Sequence, residues 1–172
     1  MEQILEIDEF ILLQNPIVGS HLIYQFTKEY YSVKNRGIKL PFSFMVLPIA
    51  FSKDFSDEIY RRSYKLGSMI KSLNNNTLNW DSLPLKMKSF SEITFQSLNI
   101  AFSTSILFYD KENAELIPNR GKSIPDSSKK QDYDKMLKTA RRLGHWLGNL
   151  EDEEICSYYN ITEVSHPLIS AI

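Results

Sequence analysis

The sequence predicts a mainly α-helical fold of the α+β class that contains one β-hairpin. Three observations carry this. Apolar residues recur at spacings of three and four over two long stretches, 16–33 and 131–148. Helix-start chemistry stands at the head of several segments, above all Asn15-Pro16 and Ser89 with Glu92. A short apolar run at 105–109 is followed by Asp110-Lys111-Glu112-Asn113, a turn, and then by a second run at 115–118.

The first clear helix opens at Asn15-Pro16. The Asn15 side-chain oxygen can accept from free first-turn amides, and Pro16 suits the first helical position, where an amide proton would have no partner. Leu22, Phe26 and Tyr30 follow at i, i+4 and i+8, with Ile23 and Val33 widening the buried stripe. Asn35-Arg36-Gly37 stops the helix near Val33. The run from Leu40 to Phe51 is too uniformly apolar for periodicity to speak. Pro48 lacks an amide proton and should interrupt an ordinary helix or a central strand, so the expectation is a short buried helix over 42–47 and then an extended piece.

Residues 54–60 read as a turn or short helix, and 61–73 as a helix stopped by Asn74-Asn75-Asn76. A short helix interrupted at Pro84 fits Trp80 to Lys88. Ser89 with Glu92 is a capping box for a helix over 90–103 that buries Ile93, Leu98 and Phe102 or their neighbours. The hairpin comes directly after it, which is the outline of a wing. The expected organisation is therefore an N-terminal helical subdomain (1–76) and a winged-helix-like C-terminal half (77–172), packed as one unit. Residues 118–130 are the best linker candidate. Over 131–148 the buried side of a long helix is Tyr133, Met136, Leu137, Ala140, Leu143 and Leu147. Asn149 can cap a last helix, whose first turn places Glu151 to Glu154 against the positive end of the helix dipole. Ile155, Tyr158 and Tyr159 are its buried side, and the tail with Pro167 is read as irregular.

The 172 residues carry 20 Lys+Arg against 21 Asp+Glu, a net charge of -1, which excludes a globally basic nucleic-acid binder but not a local basic face. Cys156 is the single cysteine, so neither an intramolecular disulfide nor a multi-cysteine zinc site is available. Glu2, Glu6, Asp8 and Glu9 give the start of the chain the wrong sign for a secretory signal. No apolar stretch approaches the roughly 20 residues that a membrane span needs. The expectation is a cytoplasmic protein with no membrane partner.

Clustered reacting groups are missing as well. His21, His145 and His166 are scattered with no i, i+4 mate. Cys156 lies among apolar neighbours with no base suggested beside it and reads as an inert thiol. The consecutive carboxylates Glu151 to Glu154 diverge around a helix instead of converging. Arg120-Gly121-Lys122-Ser123 has the look of a phosphate-loop ending, but Leu116 stands where that loop needs glycine, and Ile124-Pro125 follow where its helix should begin. No catalytic residue, cofactor or metal ligand is assigned, and ATP binding by this chain is not expected.

Charge is nevertheless uneven. Between Arg120 and Arg142 stand eight basic residues against Asp126, Asp132 and Asp134. Lys135, Lys138 and Arg142 fall at i, i+3 and i+7, one helical stripe, and with Arg141 they form the candidate surface for DNA or an acidic partner. A solvated outer face is the competing reading. A second basic zone runs from Arg61 to Lys88. Tyr30, Tyr31, Trp146, Tyr158 and Tyr159 are candidate interface anchors, each of which also reads as a core residue.

Three pieces in order carry a resemblance. Asn15-Pro16 opens a helix ending in a Tyr-rich turn. Leu40-Pro41-Phe42 leads to Val46-Leu47-Pro48-Ile49. Ala140-Arg141-Arg142-Leu143-Gly144-His145-Trp146-Leu147 precedes Glu154-Ile155-Cys156-Ser157-Tyr158-Tyr159-Asn160-Ile161. This order resembles the small middle component of three-component ABC systems, prokaryotic conflict operons that include Lamassu-type anti-phage and anti-plasmid defence. The family tends to have an aromatic pair after the late-helix glycine and Leu-Leu-Gly at the last helix end. Here His145-Trp146 and Tyr158-Tyr159-Asn160 stand there.

The resemblance implies a non-enzymatic adaptor that bridges an SMC-like or Rad50-like ATPase and an effector nuclease, and that contacts DNA through the complex. It transfers no catalytic residues. Two rivals stand beside it: a free-standing winged-helix transcription regulator, which would bind a DNA site alone, and a small enzyme of unknown chemistry.

Overall fold

Helix-start chemistry, small-residue spacing and turn residues account for most of the architecture. The computed structural model describes residues 8–75, 77–126 and 130–161. The expectations for residues 1–7, for His166 and for the tail with Pro167 fall outside these residues.

After a short helix α1 (Glu9–Leu12), helix α2 (Pro16–Lys34) begins as its cap requires: Asn15 Oδ1 accepts from the amides of Ile17 at 3.0 Å and Val18 at 3.1 Å. It stops at Asn35, whose φ of 57° is the left-handed conformation that asparagine tolerates better than most side chains. A two-residue strand β1 (Ile38–Lys39) follows. Residues 40–45 then form 3-10 turns that run into α3 (Val46–Ala50). The extended piece expected after residue 47 is therefore helix. Pro48 is the third residue of α3, inside the first turn, where a helix has no use for its missing amide proton.

Next come α4 (Lys53–Tyr60) and α5 (Leu66–Leu73), the latter starting five residues later than the sequence suggests. A turn at 80–82 leads into α6 (Leu83–Ser89), with Pro84 harmless near its start, and then into α7 (Ser91–Ser103). The expected capping box is not formed. Ser89 ends α6, its hydroxyl donating to the Lys86 carbonyl at 3.0 Å, and Phe90 is the cap of α7. Leu98 is buried as expected, and Ile93 and Phe102 are partly buried.

The hairpin is β2 (Leu107–Asp110) and β3 (Glu115–Pro118), antiparallel, with Tyr109 opposite Leu116. Asp110 carries the turn. Its carboxylate accepts from the Glu112 amide at 3.0 Å and the Asn113 side chain at 2.7 Å. β1 adds antiparallel to β3, Ile38 opposite Leu116, so the sheet order is β1-β3-β2. Helix α8 (Gln131–Gly148) has the expected bounds and buries all six expected residues. In α9 (Asp152–Tyr158) the cap is Glu151 and not Asn149. The Glu151 carboxylate and the Glu154 carboxylate satisfy each other's backbone amides.

Helix α2 is the axis of the molecule. Its largest packing partner is α8 and its second is α7, so it is buried nearly all round instead of along one stripe. Small residues make this approach possible. Ala140, Gly144 and Gly148 fall at i, i+4 and i+8 on α8. A β-carbon at 148 would stand 2.8 Å from the β-carbon of Val33. On the α7 side, a β-carbon at Gly19 would collide with the Ser97 hydroxyl. An ionic cluster joins the far end of α2 to the sheet and to α9: Arg36 bonds both Glu115 and Asp152 at 3.0 Å, and Lys34 bonds Glu151 at 2.6 Å.

Candidate interaction surface

Helix α8 divides the four candidate cations between two sides. Lys135 points at α4, with Nζ 2.6 Å from the Asp57 carboxylate and also over the Tyr60 ring. One turn on, the Thr139 and Ser56 hydroxyls meet at 3.0 Å in a buried contact. One turn further, Arg142 Nη1 donates to the carbonyl of Ile59 at 2.9 Å and to that of Tyr60, and the guanidinium lies 4.8 Å from the Tyr64 ring centroid. Burial lowers the pKa of Arg142 below the ordinary value. This row closes α4 onto α8.

Lys138 and Arg141 stand outside it. Lys138 is about half exposed and pairs with Asp134, one turn back, at 2.6 Å, and Arg141 is exposed. The i, i+3, i+7 pattern is therefore real as a spacing, but only its middle member and Arg141 face outward. The missed signal is Asp57 on α4, together with the carbonyls at the end of that helix that Arg142 meets.

The aromatic candidates divide in the same way. Tyr30, Trp146 and Tyr159 are buried, whereas Tyr158 is 40% exposed and Tyr31 is half-buried. The Trp146 indole donates to the Ser63 carbonyl at 3.1 Å, a core role. Burial pushes the Tyr30 hydroxyl up to about 12 and raises that of Tyr159 as well. The expectation that Tyr158 belongs to the buried side of the last helix is corrected. Ile155 and Tyr159, four apart, take that side, and position 158 is turned away from it.

The described histidines are tied to neighbours. His21 Nδ1 and the Tyr133 hydroxyl share a hydrogen bond of 2.9 Å, and burial lowers the pKa of His21. His145 Nδ1 lies 3.1 Å from Glu29, and its ring meets Tyr64 edge-on with centroids 4.9 Å apart. Among the described residues no three His, Cys, Asp or Glu side chains gather as a metal set would. The loop carrying Gly121 is closed on itself: its amide donates to Asn119 Oδ1, and the Tyr24 hydroxyl donates to the carbonyls of Asn119 and Lys122. Among the described residues no helix is long and apolar enough to cross a membrane.

One surface feature escaped the sequence reading. An open groove runs between the start of α5 and the end of α8, lined by Ser63, Tyr64, Lys65, Leu66, His145 and Asn149. Its two walls are about 80 residues apart in the chain, so no local pattern announces it.

No curated protein and no solved structure matches the chain. A family model does, over nearly its whole length, in agreement with the resemblance carried by residues 15–161. The chain, matched from residue 6 to residue 163, belongs to the family described as ABC-three component (ABC-3C) system Middle Component 3.

Proposed function

We propose that this middle component is a non-enzymatic adaptor in a Lamassu-type defence system, bridging an SMC-like ATPase and an effector nuclease that is held inactive until DNA is sensed. The observation that carries the reading is the family match itself, which covers residues 6–163 and so makes the whole fold a middle component. Two features of the molecule support it. Several of its charged and aromatic groups, Lys135, Arg142 and Trp146 among them, join its own helices. Among the groups that remain outward, Tyr158, Lys138, Arg141 and the groove beside α5 are surface of the kind partners recognise.

Contact with DNA belongs to the same proposal and falls to Lys138 and Arg141, with Lys135 and Arg142 holding the helix that presents them. The strand order β1-β3-β2, with β1 after one long helix and the hairpin after another, supports a winged-helix-like reading. Helix α7, which precedes the hairpin, carries Glu92 as its one charged residue. A helix without cations is poorly equipped to enter a groove lined by phosphates, which favours the adaptor over a free-standing regulator.

The test is co-purification. The chain is expressed with the products of the neighbouring genes, and the complex is assayed for DNA binding at rising salt. An adaptor assembles with them, and alone binds DNA weakly and without sequence preference. Specific binding of one DNA site by the isolated chain would overturn the reading.

A further inference from the structure

We infer that the surface from Arg61 to Lys71, together with the C-terminal end of α8, docks an acidic amphipathic helix of another component of the system. The inference rests on the accessory reading above and names the partner's chemistry and the place it binds.

Helix α5 is fastened on one side. Met69 and Ser72 are fully buried, and the Ser72 carbonyl accepts the Trp80 indole proton at 3.0 Å. Leu66 and Ile70, at i and i+4, lie on the other side, 38% and 37% exposed. Tyr64 is 37% exposed and continues this apolar surface into the groove it shares with Leu66, His145 and Asn149. Large side chains aligned on the outer face of a helix, beside a groove, form the shape that a second helix fills with its own anchors.

Charge identifies the occupant further. From residue 61 to residue 80 there are four cations and no carboxylate, in a chain whose net charge is -1. Of the carboxylates at the margin, Glu58 pairs with Arg62, Asp57 with Lys135 and Glu29 with His145, and Asp54 lies in the pocket that Arg61 lines, away from Lys65 and Lys71 in the chain. Lys65 and Lys71 are exposed on either side of the apolar pair. A helix that lays Leu or Ile between them and places Asp or Glu toward the two lysines matches both properties.

Nucleic acid fits less well. Leu66 and Ile70 offer nothing to phosphates. The Tyr64 ring already has the Arg142 guanidinium at 4.8 Å and the His145 ring at 4.9 Å, so it is not free to stack a base.

The test uses the full chain co-expressed with its co-encoded components. Two variants are compared with wild type, Leu66→Ser/Ile70→Ser and Lys65→Glu/Lys71→Glu. Each is expected to weaken assembly by about tenfold or more, and the charge variant also to flatten its salt dependence. Hydrogen exchange on the wild-type complex is expected to slow over 61–74, a readout that needs no substitution. Wild-type assembly by both variants with unchanged exchange would overturn the inference. So would variants that keep assembly and lose only retention on duplex DNA. A wild-type chain that assembles with no component refutes the accessory reading and takes this inference with it. A wild type that assembles just as its variants do, with exchange over 61–74 unchanged, refutes this surface alone.

Discussion

Gly144 of α8 rests against the main chain of Phe26 on α2. A β-carbon at 144 would stand 3.1 Å from the Phe26 carbonyl carbon, closer still to its oxygen, and 3.2 Å from the Tyr30 amide nitrogen. Backbone cannot move aside as a side-chain tip can, so the two helices would have to separate. Gly144→Ala is therefore expected to cost about 2 kcal/mol, despite the gain in helix propensity. Gly67→Ala is the control. Nothing lies within 4 Å of that position in α5, so the same change should stabilise by about 0.5–1 kcal/mol. Urea melts of both variants check the opposite signs.

The split of the α8 cations makes a second prediction. Arg142→Met removes the guanidinium donor from the carbonyls of Ile59, which keeps the Arg62 amide, and Tyr60, and should cost about 1–2 kcal/mol. Lys138→Glu/Arg141→Glu should cost about 1 kcal/mol or less, since both groups are outward and only the exposed Lys138–Asp134 pair is turned into a like-charge contact. The same double variant should weaken DNA retention by the assembled complex and reduce its salt dependence. Thermal melts and filter binding separate the two effects.

His21 sets an acid-side dependence. Unfolded, it takes up a proton near pH 6.5, and folded it does so lower, because burial disfavours the imidazolium. Between those two values the unfolded chain binds more protons, so stability falls as pH drops below about 6.5. In His21→Gln the fall should be shallower, as read from Tm at pH 5 and pH 7.5. On the alkaline side Tyr30 and Tyr133 are both held up to about 12 by burial. Their contribution is present below about pH 10 and is lost as pH rises from there toward 12.

The hairpin holds a strained residue that can be relieved. Ala114 has φ 54°, a left-handed conformation in which its β-carbon crowds the chain. Ala114→Gly should raise stability by about 0.5–1 kcal/mol, measurable as a Tm increase of a few degrees, with the β2–β3 register unchanged.

What was legible in the sequence was what local chemistry decides. The bounds of α8 follow from an unbroken spacing of apolar residues, and the hairpin follows from Asp110 and its turn. Pro48 misled because its effect depends on where the helix starts, and α3 starts only two residues before it. Ser89 misled because it serves the helix that ends at it. The cations of α8 were visible as a stripe, but Lys135 meets Asp57, which lies 78 residues away, and spacing within one helix does not say what stands across from it. The groove beside α5 was hidden for the same reason. Its walls are joined across the chain, where the Trp146 indole of α8 donates to the Ser63 carbonyl.

The central claim is that this chain acts by assembling with the other components of its system. Size-exclusion chromatography with light scattering, on the chain co-expressed with its neighbouring gene products, tests it most directly. The account predicts one species that contains this chain and at least one of those products, stable at moderate salt. Elution of the chain by itself at 20.0 kDa, with every co-expressed product in separate fractions, would contradict it.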